Sequence, residues 1–150
     1  MRETPVPFYT LINTVIGEAP AVVVVNTALR TDAVRTLFPW HLRIGIACRS
    51  LGDNGMPTPE ELEVVTRLET LIDSSVGAEG NAVFLARITA RGERVLLYRV
   101  HDPEQANDRL QQLLAMPGPA RPWEFQMEHD VDWTLAAPEL DLPLQDPGVN

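Results

Sequence analysis

Three histidines, a single cysteine and 12 arginines are the side chains with which acid–base, nucleophilic or anion-binding chemistry would begin in this 150-residue chain. His41, His101 and His129 fall on different predicted strands, and Cys48 has no CxxC or HxxxH companion, so zinc-ligand spacing is absent. Isolated histidines of this kind are more often structural or surface residues. The chain contains no GxSxG, P-loop or GxGxxG, and Cys48 sits on an apolar alternation where a buried, inert thiol is the plainer reading. No catalytic residue, metal or cofactor is expected. The loop Gly52-Asp53-Asn54-Gly55-Met56-Pro57 leads into a helix start, where backbone N–H groups and the helix dipole can receive an anion. Thr58 and Glu61 compete for those donors, and Glu60, Glu61 and Glu63 place negative charge there, so a plain turn is expected instead.

The elements that position these residues are readable from periodicity. Phe8 to Ile16 and Val22 to Asn26 are rich in β-branched and apolar residues around Gly17-Glu18-Ala19-Pro20, which predicts a hairpin. Thr31 and Asp32 cap a short helical piece that ends near Phe38, before Pro39. Trp40, Leu42, Ile44, Ile46 and Cys48 alternate with wetter positions and make a strand. Thr58, Pro59 and Glu61 then spell a capping box, and Leu62, Val65, Leu68, Ile72 and Val76 form the stripe of a helix that stops at Gly77. Two strands, Ala82 to Thr89 and Arg94 to His101, flank a short turn. A second helix starts at Asp102-Pro103 with the stripe Ala106, Leu110, Leu113 and Leu114, and Trp123, Phe125 and Met127 mark a last strand.

From Trp40 to His129 the order is strand, helix, strand, strand, helix, strand, which predicts an α+β, ferredoxin-like (βαββαβ) antiparallel sheet with two helices on one face. The N-terminal hairpin either extends this sheet or covers part of its other face. Three regions are expected: 1–39, the hairpin and connector; 40–133, the ferredoxin-like domain; and 134–150, a poorly ordered acidic tail. Alternation puts His41, Arg43 and Arg49 of the first strand and Arg87 of the second on the face opposite the helices. If Leu96, Tyr98 and Val100 face the helices, Arg99 and His101 join them, and Glu124 and Glu128 border the group for the strand order 4-1-3-2. The six residues His41, Arg43, Arg49, Arg87, Arg99 and His101 are the candidate binding residues. Their plain reading is a solvated face laced with weak cross-strand ion pairs. The functional reading is a binding face, or a small-molecule or enzyme pocket near His41, Arg43, Arg99 and His101.

The charge limits the partners. With 21 acidic side chains the net charge is −9, and all 12 basic residues are arginine. Broad nucleic-acid or anionic-membrane binding needs accumulated positive charge and is disfavoured. RNA binding by a sheet of this type also needs exposed aromatics, whereas Trp123, Phe125 and Tyr98 fall on the helix-facing register. Five of the carboxylates and no arginine lie beyond His129, so the tail, with Leu140, Leu142 and Leu144, is suited to cover an arginine-lined patch in cis. No secretory pattern or membrane-spanning run is visible, and one unpaired cysteine suits the cytoplasm.

Trp40, Asp53-Asn54-Gly55-Met56-Pro57, Glu60-Glu61, Leu68-Glu69, Arg87-Ile88-Thr89, Gly92-Glu93-Arg94, Tyr98, Trp123-Glu124-Phe125 and Asp130-Val131-Asp132-Trp133 occur in an order that resembles a bacterial domain-of-unknown-function family, number 695. The resemblance covers roughly Phe38 to Trp133. That family's third strand is richer in aromatics than Leu96-Leu97-Tyr98. It is similar in fold to the regulator of ribonuclease E activity B family, small acidic cytoplasmic proteins that inhibit an RNA-degrading enzyme. The resemblance implies a ferredoxin-like fold and no catalytic residue. The expected function is a non-enzymatic cytoplasmic interaction or regulatory domain for a protein partner, basic or RNA-associated in character, with homodimerisation through the open face or an edge strand as a further expectation.

Overall fold

The computed structural model describes residues 4–118 and 120–145. Strands β1 (Tyr9–Ile16) and β2 (Ala19–Asn26) form the expected hairpin, but its turn is shorter than expected. Gly17 and Glu18 alone make it, at φ 54° and 70°. Two consecutive left-handed residues give the turn whose twist matches an antiparallel pair, so Ala19 and Pro20 are released into the strand. Helix α1 (Asp32–Leu37) ends before Pro39, as its sequence predicts. There follow β3 (Trp40–Ala47), α2 (Pro59–Val76), β4 (Ala82–Ala90), β5 (Glu93–Val100), α3 (Pro103–Ala115), β6 (Trp123–His129) and α4 (Ala137–Gln145).

All six strands join one antiparallel sheet in the order β1-β2-β4-β5-β3-β6. Of the two placements left open for the hairpin, the structure shows the first: it extends the sheet beside β4. Helices α2 and α3 pack on one face, where Leu42, Ile44, Ile46, Leu96, Tyr98 and Val100 meet Val65, Leu68, Ile72, Ala106 and Leu110. Burying each such side chain contributes roughly 1.5–3 kcal/mol, so this layer is a principal source of stability.

The opposite face is not open. Val23, Val25, Leu85, Val95 and Leu97 are covered by Val34 of α1, Phe38, Trp133, Ala136 and Leu140. The segment expected to be a poorly ordered tail forms α4 over 137–145, because Leu140 and Leu142 have an apolar face to pack on. The last residues, 146–150, lie outside the described ones.

One local expectation changes with the structure. Thr58 Oγ1 accepts from Glu61 N at 3.3 Å, but the Glu61 carboxylate does not close a capping box. It accepts from Arg49 N at 2.6 Å and from Arg121 Nε at 2.7 Å, and Thr58 N bonds Ser50 O instead. The helix start is thereby tied to the β3 exit and to the approach to β6. Arg121 and the Arg49 amide hold the Glu61 carboxyl down at about 2. Among the described residues, no helix is long and apolar enough to cross a membrane.

Candidate functional site

The six candidate residues do not form one surface. Arg99 is fully buried on the covered face, one residue from the end of β5. Its Nε donates to Phe38 O at 3.2 Å, Nη1 to Asp130 Oδ2 at 2.8 Å, and Nη2 to Asp130 O at 2.7 Å. The Trp133 ring lies 4.3 Å from the guanidinium carbon, and the Trp133 indole N–H donates to the same Phe38 carbonyl at 3.1 Å. Asp130 also accepts from Thr134 N and Leu135 N. Trp133 adopts φ 58°, a region that an aromatic residue enters only when its surroundings fix it. This group is a clamp that fastens the chain after β6 across the sheet, with the indole packed on the Arg99 guanidinium.

His41 stands opposite Arg99 in the β3–β5 register, and its Nδ1 is 3.2 Å from Arg99 Nη1. Arginine can only donate, so Nδ1 accepts and the ring is neutral. Burial, and then the neighbouring Arg99 charge, lower the His41 pKa to about 4. Between roughly pH 6.5 and 4 the unfolded chain therefore binds a proton that the folded chain refuses, and stability falls as pH falls through that window. Between pH 6.5 and 4.5 the native chain should lose on the order of 2 kcal/mol more than His41→Gln, read from urea midpoints. Equal losses would show that the histidine stays uncharged for no energetic reason. Burial pushes the Glu139 carboxyl the other way, up to about 7, so its contribution falls as pH rises through 4.5 to 7, and the comparison with the variant removes it.

The remaining candidates disperse. Arg43 reaches Glu93 at 3.5 Å, with both side chains well solvated. Arg49 lies beyond the end of β3 and is exposed. His101 lies one residue past β5, with Nδ1 2.7 Å from Leu37 O. Arg87 is on the other face altogether. The β4–β5 register shifts between Phe84 and Ala86, and this bulge at Leu85 reverses the parity that simple alternation assigns to Arg87.

Arg87 belongs to a second ionic group. Its Nε donates to both Glu69 carboxylate oxygens at 3.0 Å, and Arg94 Nη1 donates to Glu69 Oε1 at 3.2 Å and Arg94 Nε to Thr89 Oγ1 at 3.2 Å. Tyr98 OH donates to Asp73 Oδ1 at 3.0 Å, and burial raises the phenol's pKa.

This group edges a cleft that the sequence reading missed. About 380 Å³ in volume, it lies between α2 and the hairpin and is lined by Tyr9, Val24, Phe84, Glu69, Asp73 and Arg87. Tyr9 and Phe84 meet edge to face at 5.9 Å. Beyond the cleft the hairpin's α2-side face stays uncovered: Tyr9, Leu11 and Val15 are 58%, 59% and 64% exposed. They share that face with Val22 and Val24 by the register Leu11↔Val24↔Arg87 and Asn13↔Val22↔Thr89. The signal for this surface was present, since both alternations of β1 and β2 are largely apolar although only one packs on the covered face.

Among the described residues, no group of three or more His, Cys, Asp or Glu side chains is placed to hold a metal ion. What the geometry offers is an apolar shelf bounded by α2. In comparisons with known proteins, the model of a family of unknown function, DUF695, matches residues 9–136, a span that takes in the hairpin set apart in the sequence as 1–39. No curated protein and no solved structure matches the chain.

Proposed function

Because the chain belongs to the DUF695 family, whose function is unknown, its role must come from its own residues, and we propose that it is a non-enzymatic protein-interaction domain, regulatory in kind, whose contact surface is the α2-side face of the β1–β2 hairpin. The observation that carries this reading is the row Tyr9, Leu11 and Val15, each more than half exposed on an ordered strand. Large exposed apolar side chains grouped on one strand face, interrupted here only by Asn13, mark a contact site on an otherwise acidic protein more often than a solvated surface. Net charge −9 favours a basic partner through long-range attraction. A cytoplasmic setting belongs to the same proposal.

We also infer that residues 40–129 are a ferredoxin-like unit extended at one edge by the hairpin, with a kinship in fold to the regulator of ribonuclease E activity B family. The adjacency β6-β3-β5-β4, each pair antiparallel, supports the unit. The alternative of a ligand or enzyme pocket near His41, Arg43, Arg99 and His101 has less support, because the Trp133 indole stacks on Arg99.

A photo-crosslinking residue placed at Leu11 tests the surface. In extracts of the native host it should yield discrete protein adducts that the same probe at Arg67, exposed on the outer side of α2, does not. Equal labelling from the two positions would sink the proposal.

A further inference from the structure

We propose that the shelf beside α2 receives a single amphipathic helix of net positive charge, supplied by a partner protein; this rests on the reading of the hairpin face as the contact surface. Two strands at the usual spacing make a floor about 10 Å wide, which is one helix diameter. The eight residues of β1 extend about 27 Å, the length of roughly 18 helical residues. On the sheet's helical face α2 and α3 already lie side by side, and the floor of Leu11, Val15, Val22 and Val24 is the next unoccupied position in that layer. The cleft of about 380 Å³ at the Tyr9–Phe84 end gives a large apolar side chain of the incoming helix a place to enter.

The other occupants of such a surface fit less well. An extended segment added along β1 would pair with the backbone edge, in the plane of the sheet, and leave Tyr9, Leu11 and Val15 uncovered. A second copy pairing edge to edge would do the same and would also bring two chains of net charge −9 together. Charge selects the sign of the helix. Asp73 stands exposed on the wall; with Glu61 and Glu69 neutralised by Arg121 and by Arg87 and Arg94, α2 still presents Glu60, Glu63 and Asp73 to solvent against Arg67, and β1 and β2 themselves carry no charged residue.

The test uses the full chain, isotopically labelled, and three synthetic 18-residue peptides. The first has leucines at helical spacing and arginines elsewhere; the second replaces the arginines with glutamates; the third is the first with two central prolines. The first peptide should shift the amides of Tyr9, Leu11, Asn13, Val22 and Val24, and the other two should bind at least tenfold more weakly. Leu11→Glu, a change at an exposed site, should reduce affinity at least tenfold while leaving the remaining amide spectrum intact. Asp73→Asn keeps an acceptor for Tyr98 OH and should weaken binding about twofold to fivefold, as loss of one solvated charge does. If the proline peptide shifts the same amides as strongly, the surface stands but its occupant is an extended segment, and the helix is refuted. If light scattering finds a dimer that Leu11→Glu dissolves, a second copy is the occupant and the helix is again refuted. If no peptide shifts these amides and the chain is monomeric, both the helix and the surface reading fall.

Discussion

Replacing Arg99 with methionine should lower the stability of the folded chain by about 3–5 kcal/mol, the range for removing one member of a buried ion pair. Methionine fills much of the volume but supplies none of the donors. Asp130 would keep Thr134 N and Leu135 N but lose the guanidinium that neutralises it, and His41 Nδ1 would lose its donor. The stacking surface for Trp133 would go as well. Because the clamp fastens the segment that covers Val95 and Leu97, the damage should begin locally. Hydrogen exchange at 133–145 should accelerate before that of the α2-side core, and Trp133 emission should shift to the red. Arg99→Lys keeps the charge but not the planar fork that reaches Asp130 and Phe38 together, so it should recover less than half of the loss. A urea midpoint unchanged in Arg99→Met would show that the clamp is incidental to the fold.

The same residue shows where sequence reasoning reached and where it stopped. Alternation put Arg99 on the face away from the helices on the condition that Leu96, Tyr98 and Val100 face them, and those three do pack on the helical side. Its environment was out of reach, because Trp133 and Asp130 come from a stretch with no strand or helix period. Only in three dimensions does Asp130-Val131-Asp132-Trp133 become a turn whose two ends grip one guanidinium. Helix starts at Thr58 and Asp102 were legible because capping is local chemistry: each side chain accepts from backbone N–H groups two or three residues on. Glu61 was half legible. Its position suggested a capping box, yet its carboxylate is taken by Arg121, 60 residues away, a partner that no local rule can nominate.

Arg87 failed for a different reason. One inserted residue at Leu85 shifts the pairing, and every side chain after it changes face. The run Ala82-Val83-Phe84-Leu85-Ala86 is apolar throughout, so its sequence contains no polar position to mark the shift. The shelf was missed although its signal was local. The hairpin is largely apolar on both alternations, whereas α1, α4 and the Trp133 segment cover only one of its faces.

Glu69→Leu should be the other large loss, about 2–4 kcal/mol, because it leaves two arginines on the α2 side of the sheet without the carboxylate that lies between them. Arg94 is nearly enclosed and would keep Thr89 Oγ1 and Thr66 Oγ1, neither of which carries charge. Arg87 is nearer solvent, and its guanidinium lies 5.5 Å from the Phe84 ring centre, held there by Glu69. The two arginines should therefore respond differently. Adding Arg94→Met to Glu69→Leu should recover most of the loss, since it removes the buried charge that cannot escape. Adding Arg87→Met should recover little, because Arg87 can turn outward into the cleft and regain water. That outward turn also connects the core to the shelf: a cation released among Tyr9, Val24 and Phe84 would repel the cationic helix proposed for that site. Glu69→Leu should consequently weaken the arginine peptide and strengthen the glutamate peptide, an inversion that destabilisation alone cannot produce. Equal recovery by the two arginine substitutions, measured as urea midpoints, would mean that Glu69 holds both charges alike and that Arg87 has no route to solvent.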